Sequence, residues 1–133
     1  MTNPGPAWPR EALDVFSSAE EIEVGTRRHD GTLRGLVPIW VVALGGTLYV
    51  RSYRGTGGAW YRHATADPLG VVRVGGRQVD VVFSPSGSRQ RDAIDAAYRA
   101  KYARYRDTYL PAMLAEQAVA TTLRLDPASG TGI

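Results

Sequence analysis

LYVRSYRGTGGAWYRH, residues 48–63, begins as an apolar β-strand, breaks into glycines and restarts with two aromatics between basic residues. Arg51, Arg54 and Arg62 surround a loop carrying Gly55, Gly57 and Gly58. A solvated hairpin has no need of that density of guanidinium groups. A strand-to-helix corner that binds an anion does, because glycines let backbone amides approach a ligand and a following helix presents free N–H groups, although on composition alone a flexible loop with surface arginines is the plainer reading. On alternation, Tyr49, Arg51 and Tyr53 share one face of the strand, with Leu48, Val50 and Ser52 on the other.

Working outward, residues 37–44 (VPIWVVAL) and 47–53 (TLYVRSY) flank Gly45-Gly46, the signature of a β-hairpin. Residues 70–74 and 78–83 repeat it around Gly75-Gly76. Residues 21–28 alternate as a half-buried strand, closed by a His-Asp-Gly turn at 29–31. Residues 59–66 read as a short helix that must stop before Asp67-Pro68. A longer helix is expected from Ser88, its N-cap, to about Tyr109, with Pro111 ending it or opening another. Residues 120–125 (ATTLRL) read as a closing strand. Residues 1–10, with three prolines, form an extended arm, and 11–16 one helical turn. Five or six strands in glycine-turned hairpins make antiparallel sheet, and closure into a small barrel with peripheral helices removes exposed edges.

The 133 residues suffice for one domain, spanning 1–133, with a single core. A hydrophobic fraction of 44% with 22% charged residues excludes wholesale disorder. No apolar run reaches the roughly 20 residues that cross a bilayer. The N-terminus lacks a basic start followed by an apolar stretch, so no membrane or secretory role is expected and the location is cytoplasmic. There is no cysteine, which removes disulfide and thiolate chemistry. Of 16 basic residues only Lys101 is lysine; arginine suits phosphate and carboxylate, although a codon bias is the plainer account of it. The arginines are interleaved with acids and not clustered, which speaks against nucleic acid.

The order strand, glycine loop, AWYRHATADP, strand, Val-Gly-Gly resembles the flavin-nucleotide split β-barrel proteins, the pyridoxamine-phosphate-oxidase-like superfamily, and within it the deazaflavin-dependent nitroreductase group. The matching positions are Ser52, Gly55, Ala59, Trp60, Tyr61, Asp67, Pro68, Val74, Gly75 and Gly76. Tyr53 and Arg54 stand where those enzymes carry a basic residue and glycines. The chain is also similar to a family of short bacterial split-barrel proteins sharing VRSYRG…AWYR, a Lys-Tyr pair (Lys101, Tyr102) and a terminal Thr-Leu-Arg-Leu strand (residues 122–125). The resemblance implies a six-stranded antiparallel split β-barrel with one short and one longer peripheral helix. It implies FMN or the deazaflavin coenzyme F-420 as cofactor, held by Arg51, Ser52, Tyr53, Arg54, Gly55, Tyr61, Arg62 and His63. It further implies an oxidoreductase passing hydride or electrons to a small organic substrate, working as a homodimer. The alternative is a non-catalytic ligand-binding module on the same barrel.

Other groups carry plainer readings. His29 and His63 lack any metal-ligand spacing; His29 is a solvated turn residue, and His63 shares the arginine corner. No Gly-x-Ser-x-Gly elbow points to a hydrolase. Tyr98, Tyr102, Tyr105 and Tyr109 form one helical stripe that packs on the barrel or on a partner subunit. Trp40, in an apolar strand, reads as core. On helical geometry Trp60 and Tyr61 cannot share a direction, so Trp60 is expected inward and Tyr61 toward the cofactor pocket.

Overall fold

A computed structural model describes residues 8–86 and 89–128. Seven strands form one antiparallel sheet: β1 (Ile22–Thr26), β2 (Val37–Ile39), β3 (Val42–Leu44), β4 (Thr47–Val50), β5 (Leu69–Val74), β6 (Arg77–Pro85) and β7 (Leu123–Pro127). Five helices accompany them: α1 (Arg10–Ser18), α2 (Ala59–Ala66), α3 (Arg91–Lys101), α4 (Leu110–Leu114) and α5 (Glu116–Val119). The sheet order is β2-β1-β5-β6-β7-β4-β3. Its two edge strands are consecutive in the chain, with only Trp40 and Val41 between them. The sheet must therefore curl until its ends meet at that dipeptide. The result is a split-barrel-like fold.

The seventh strand corrects the expected six. Residues 37–44 are not one strand: β2 pairs with β1 and β3 with β4, and the chain breaks at Trp40-Val41 to pass from one edge to the other. Lys101 and Tyr102 hold that joint. The Tyr102 hydroxyl accepts the Val41 N–H at 2.9 Å and lies 2.8 Å from the Glu20 carbonyl. Lys101 Nζ donates to the Ser17 and Val41 carbonyls, both at 2.7 Å. A lysine and a tyrosine thus satisfy backbone groups that a continuous ladder would have paired.

Both Gly-Gly hairpins form, with Leu44 opposite Thr47 and Val74 opposite Arg77. Gly45 and Gly46 take φ of +62° and +81°, which a two-residue hairpin turn of this hand demands of both central positions. α2 covers the expected residues and ends at Asp67.

The long helix expected over 88–109 is shorter. α3 stops at Lys101, a 3₁₀ turn follows at Ala103–Tyr105, and α4 opens with Pro111 in its first turn. Ser88 lies outside the described residues. Among the described residues, five helices stand where one short and one longer peripheral helix were expected beside the turn at 11–16. At the other end of the chain, Trp8 is buried and its indole N–H donates to the Leu125 carbonyl at 2.8 Å. α1 follows from Arg10, longer than the single turn expected.

Two apolar clusters result. Phe16 and Ala12 of α1 plug the barrel among Ile22, Val24, Leu48, Val50, Val72, Val81, Leu123 and Leu125. A second cluster, Val42, Tyr49, Ile94, Tyr98, Tyr102, Leu110 and Met113, lies between the β3–β4 face and α3–α4. β4 is buried on both faces, Leu48 and Val50 in one cluster and Tyr49 in the other.

Candidate functional site

β4 ends at Val50, earlier than expected, because its partner β7 begins only at Leu123. Beyond that point the Thr121 hydroxyl takes the Ser52 N–H at 2.8 Å in place of a strand carbonyl. Arg51 and Ser52 lie past the end of this ladder and both are buried, each 1% exposed; Arg51 keeps Tyr49's side of the chain, over the Tyr98 ring, as alternation predicts. The chain then turns: Gly55 N–H donates to the Ser52 carbonyl at 3.0 Å, with Gly55 at φ +68°. A 3₁₀ turn, Gly55–Gly57, delivers Gly58 to the start of α2. A Cβ on Gly58 would lie 2.4 Å from Ser52 Oγ, so only glycine lets this backbone close over the hydroxyl.

A cavity of about 770 Å³ opens at this corner. Its inner wall carries Arg51 and Ser52, and one side is the chain from Gly57 to Trp60, where α2 begins. Trp40, Tyr105 and Met113 also line it, and Val37, Tyr53 and Tyr109 are exposed there. Trp40 stacks on Tyr102, centroids 3.9 Å apart and planes 3° off parallel. Glu20 also lines the cavity, paired with Arg104 and accepting the Tyr105 hydroxyl at 2.9 Å.

Of the eight residues expected to hold a cofactor, Arg51, Ser52, Tyr53 and Arg54 line this cavity; Gly55, Tyr61, Arg62 and His63 do not. Gly55 is buried against Gln117. Tyr61 packs on the barrel core, and Trp60, which also touches that core, faces the cavity. Trp60 thus packs on the core as expected, but it is Trp60 and not Tyr61 that reaches the cavity. His63 sits by Arg34, Arg62 and Arg28, and partial burial followed by those cations holds its pKa below the ordinary value.

Arg51 is not a free cation. Its Nη1 lies 2.6 Å from Asp95 Oδ1 and 2.9 Å from the Met113 carbonyl, and its Nε donates to Thr122 Oγ1 at 3.0 Å. Its Nη2 and the Ser52 hydroxyl are buried without a partner. A buried donor left unpaired costs free energy. Arg54 remains exposed at the rim.

The tyrosine stripe divides. Tyr98 and Tyr102 are buried, and burial raises both phenols above their ordinary value. Tyr105 and Tyr109 line the cavity. Lys101 is half-buried at the strand joint, and desolvation lowers its pKa to about 8.

Sequence reasoning missed Trp40, Tyr105 and Asp95. Trp40 looked like core because the break between β2 and β3 has no glycine or proline to mark it. Asp95 had a readable signal: Asp95, Tyr98 and Tyr102, spaced i, i+3, i+7, share one face of α3. An acid on a stripe otherwise aromatic demands a buried cation. Among the described residues there is no cluster of three potential metal ligands, and no helix long and apolar enough to cross a membrane.

No curated protein matches the chain. Solved structures share its fold at low identity. The heme storage protein HutZ from Vibrio cholerae is 12% identical over 92% of each chain, TM-score 0.62. A FAD-binding protein from Mesorhizobium loti is 16% identical over 90% of this chain and 88% of its own, TM-score 0.58. An F420-H2 dependent reductase (FDR-A) is 17% identical over 80% of this chain and 93% of its own, TM-score 0.58. These likenesses establish the split-barrel fold. Residues 12–125 match the family described as "uncharacterized protein conserved in bacteria (DUF2255)", and the chain belongs to that family.

Proposed function

We propose that the cavity binds a flavin or deazaflavin nucleotide, FMN or coenzyme F-420, and that the protein is an oxidoreductase using it on a small organic substrate. One observation carries this reading: an aromatic-walled cavity of about 770 Å³ at the strand-to-helix corner, lined by Arg51, Ser52 and the exposed Arg54. The volume lies in the range of cofactor sites, roughly 300–1,000 Å³. Trp40 and Trp60 offer faces for a planar ring. Arg54, with the first N–H groups of α2, offers an anionic tail a positive rim. The residues present therefore fit the group.

Such a cofactor supplies hydride or electron transfer when bound, so the chain need contribute no nucleophile. Its own residues bind, orient and shield. Trp40 is set by its stack on Tyr102, Gly58 closes the backbone over Ser52, and Arg54 stands exposed at the rim. Proteins of this fold include the FAD-binding protein and the F420-H2 dependent reductase above, which supports the choice. The fold also houses heme proteins, but neither histidine lines this cavity, which favours the flavin class over a histidine-ligated heme. The exposed Val37, Tyr53 and Tyr109 at the mouth support a homodimer in which a second copy covers them.

The test is a visible and fluorescence titration of the purified protein with FMN, coenzyme F-420 and hemin. Saturable binding of FMN or F-420, with quenching of tryptophan emission, is expected. Saturation by hemin alone would overturn the assignment. Light scattering at micromolar concentration checks the dimer, and a monomer mass counts against it.

A further inference from the structure

Four charged residues line the cavity: Glu20, Glu21, Arg51 and Arg54. Two are matched within the chain. Arg51 is paired with Asp95 at 2.6 Å, and Glu20 with Arg104 and the Tyr105 hydroxyl. Glu21 and Arg54 are exposed and make no ion pair among the described residues. The cavity therefore carries one uncompensated charge of each sign, and a ribbon of rings runs between them. Centroid to centroid, Trp40 lies 5.1 Å from Tyr105, Tyr105 5.9 Å from Tyr109, and Tyr109 6.3 Å from Tyr53. Arg54 follows Tyr53 in the chain.

Glu21 stands at the other end. Ile22 and Ile39 face each other across β1 and β2 and both point into the barrel core. Glu21 and Trp40, the next facing residues along, therefore turn together to the opposite side. On that side of β1 Glu23 is paired with Arg73 at 3.1 Å, whereas the neighbour of Glu21 is an indole. The Tyr102 phenol, raised first by burial, is raised further by the Glu21 charge, which sets this carboxylate near the Trp40–Tyr102 stack.

We infer that the Glu21 end of the cavity is a subsite for an organic cation, an amine- or amidine-bearing substrate whose charged group meets the Glu21 carboxylate while its apolar body lies along Trp40 and Tyr105. The adjoining residues already hold a cation in this manner: Arg104 pairs with Glu20, and its guanidinium lies 5.2 Å from the centre of the Tyr105 ring. An apolar wall keeps water from one side of such an ion pair and so strengthens it relative to an open surface pair. An anion at this end would face two carboxylates, Glu20 and Glu21. The inference rests on the proposed cofactor site: the anionic end of a nucleotide is drawn to Arg54, which leaves the Glu21 end to the substrate.

Benzamidine and benzamide share one planar shape and differ by a positive charge. Both are titrated into the wild type, Glu21→Gln and Arg54→Ala, following the Trp40 indole N–H resonance, which Trp40→Phe identifies. In the wild type benzamidine should bind about fivefold more tightly than benzamide. In Glu21→Gln, which keeps the side-chain shape and removes the charge, the two should bind alike. In Arg54→Ala the preference should remain. Equal binding in the wild type, a preference that survives Glu21→Gln, or its loss in Arg54→Ala overturns the inference. The titration is then repeated on the FMN-saturated protein, where benzamidine should still move the Trp40 resonance; exclusion of benzamidine by FMN would overturn its assignment to the substrate. If neither FMN nor coenzyme F-420 binds, the cofactor reading fails, and the benzamidine preference with its loss in Glu21→Gln decides the subsite alone.

Discussion

Removing one oxygen atom from each of two tyrosines on the same helix face should have opposite consequences. Tyr98 and Tyr102 are both buried, one helical turn apart, with ring centroids separated by 6.0 Å. The Tyr102 hydroxyl serves the Val41 N–H and the Glu20 carbonyl, and Val41 is itself 0% exposed. Tyr102→Phe strands a buried N–H and a carbonyl at the joint where the two sheet edges meet. An unsatisfied buried group costs about 1–3 kcal/mol and a lost bond about 1, so a destabilisation of about 2–3 kcal/mol is expected. That corresponds to roughly 6–10 °C in Tm for a chain of this size. The Tyr98 hydroxyl has no partner, so Tyr98→Phe relieves an unpaired polar atom and should be neutral or stabilising. Equilibrium urea unfolding of the two variants gives the comparison, with unchanged m-values confirming two-state behaviour. If Tyr98→Phe costs as much as Tyr102→Phe, the hydroxyl at the strand joint is not what holds the barrel closed.

Further outcomes follow from the same geometry. Gly58→Ala should destabilise by about 1–3 kcal/mol through overpacking on Ser52 Oγ, and Ser52→Ala in the same chain should restore most of it; no rescue in thermal melts would place the clash elsewhere. Trp60→Ala should weaken FMN binding by about 1 kcal/mol through lost stacking, while Tyr61→Phe leaves it unchanged; the reverse result in a fluorescence titration would exchange their roles. Lys101, lowered to about 8 in the fold against about 10.4 unfolded, binds fewer protons folded than unfolded in that window. Its contribution to stability must therefore rise with pH from about 8 to 10, and Lys101→Met should flatten that slope in urea midpoints measured across the range. Above pH 10 the raised phenols of Tyr98 and Tyr102 reverse the trend, since the fold then retains the protons.

Much of the fold was legible because its signals are local. Gly45-Gly46 and Gly75-Gly76 fix two hairpins through backbone freedom alone, Pro68 sets the end of α2, and alternation marks β1. The corner at residues 51–60 was legible as a site because guanidinium groups and glycines are adjacent there in sequence. What the sequence could not show depends on partners distant along the chain. Whether residues 37–44 form one strand or two depends on β1 and β4 as alternative neighbours, and on Tyr102 and Lys101, about 60 residues on, to satisfy Val41 at the break. Arg51 lies on the Tyr49 side of the strand, as alternation set it, and meets Tyr98 there, but alternation could not show that α3 and α4 bury this guanidinium. Its charge state toward a ligand was hidden because Asp95, 44 residues away, neutralises it. Local periodicity specifies an element's existence and its faces. The chemistry a buried charge presents depends on which opposite charge the tertiary fold brings within hydrogen-bond reach, and that pairing has no local signature.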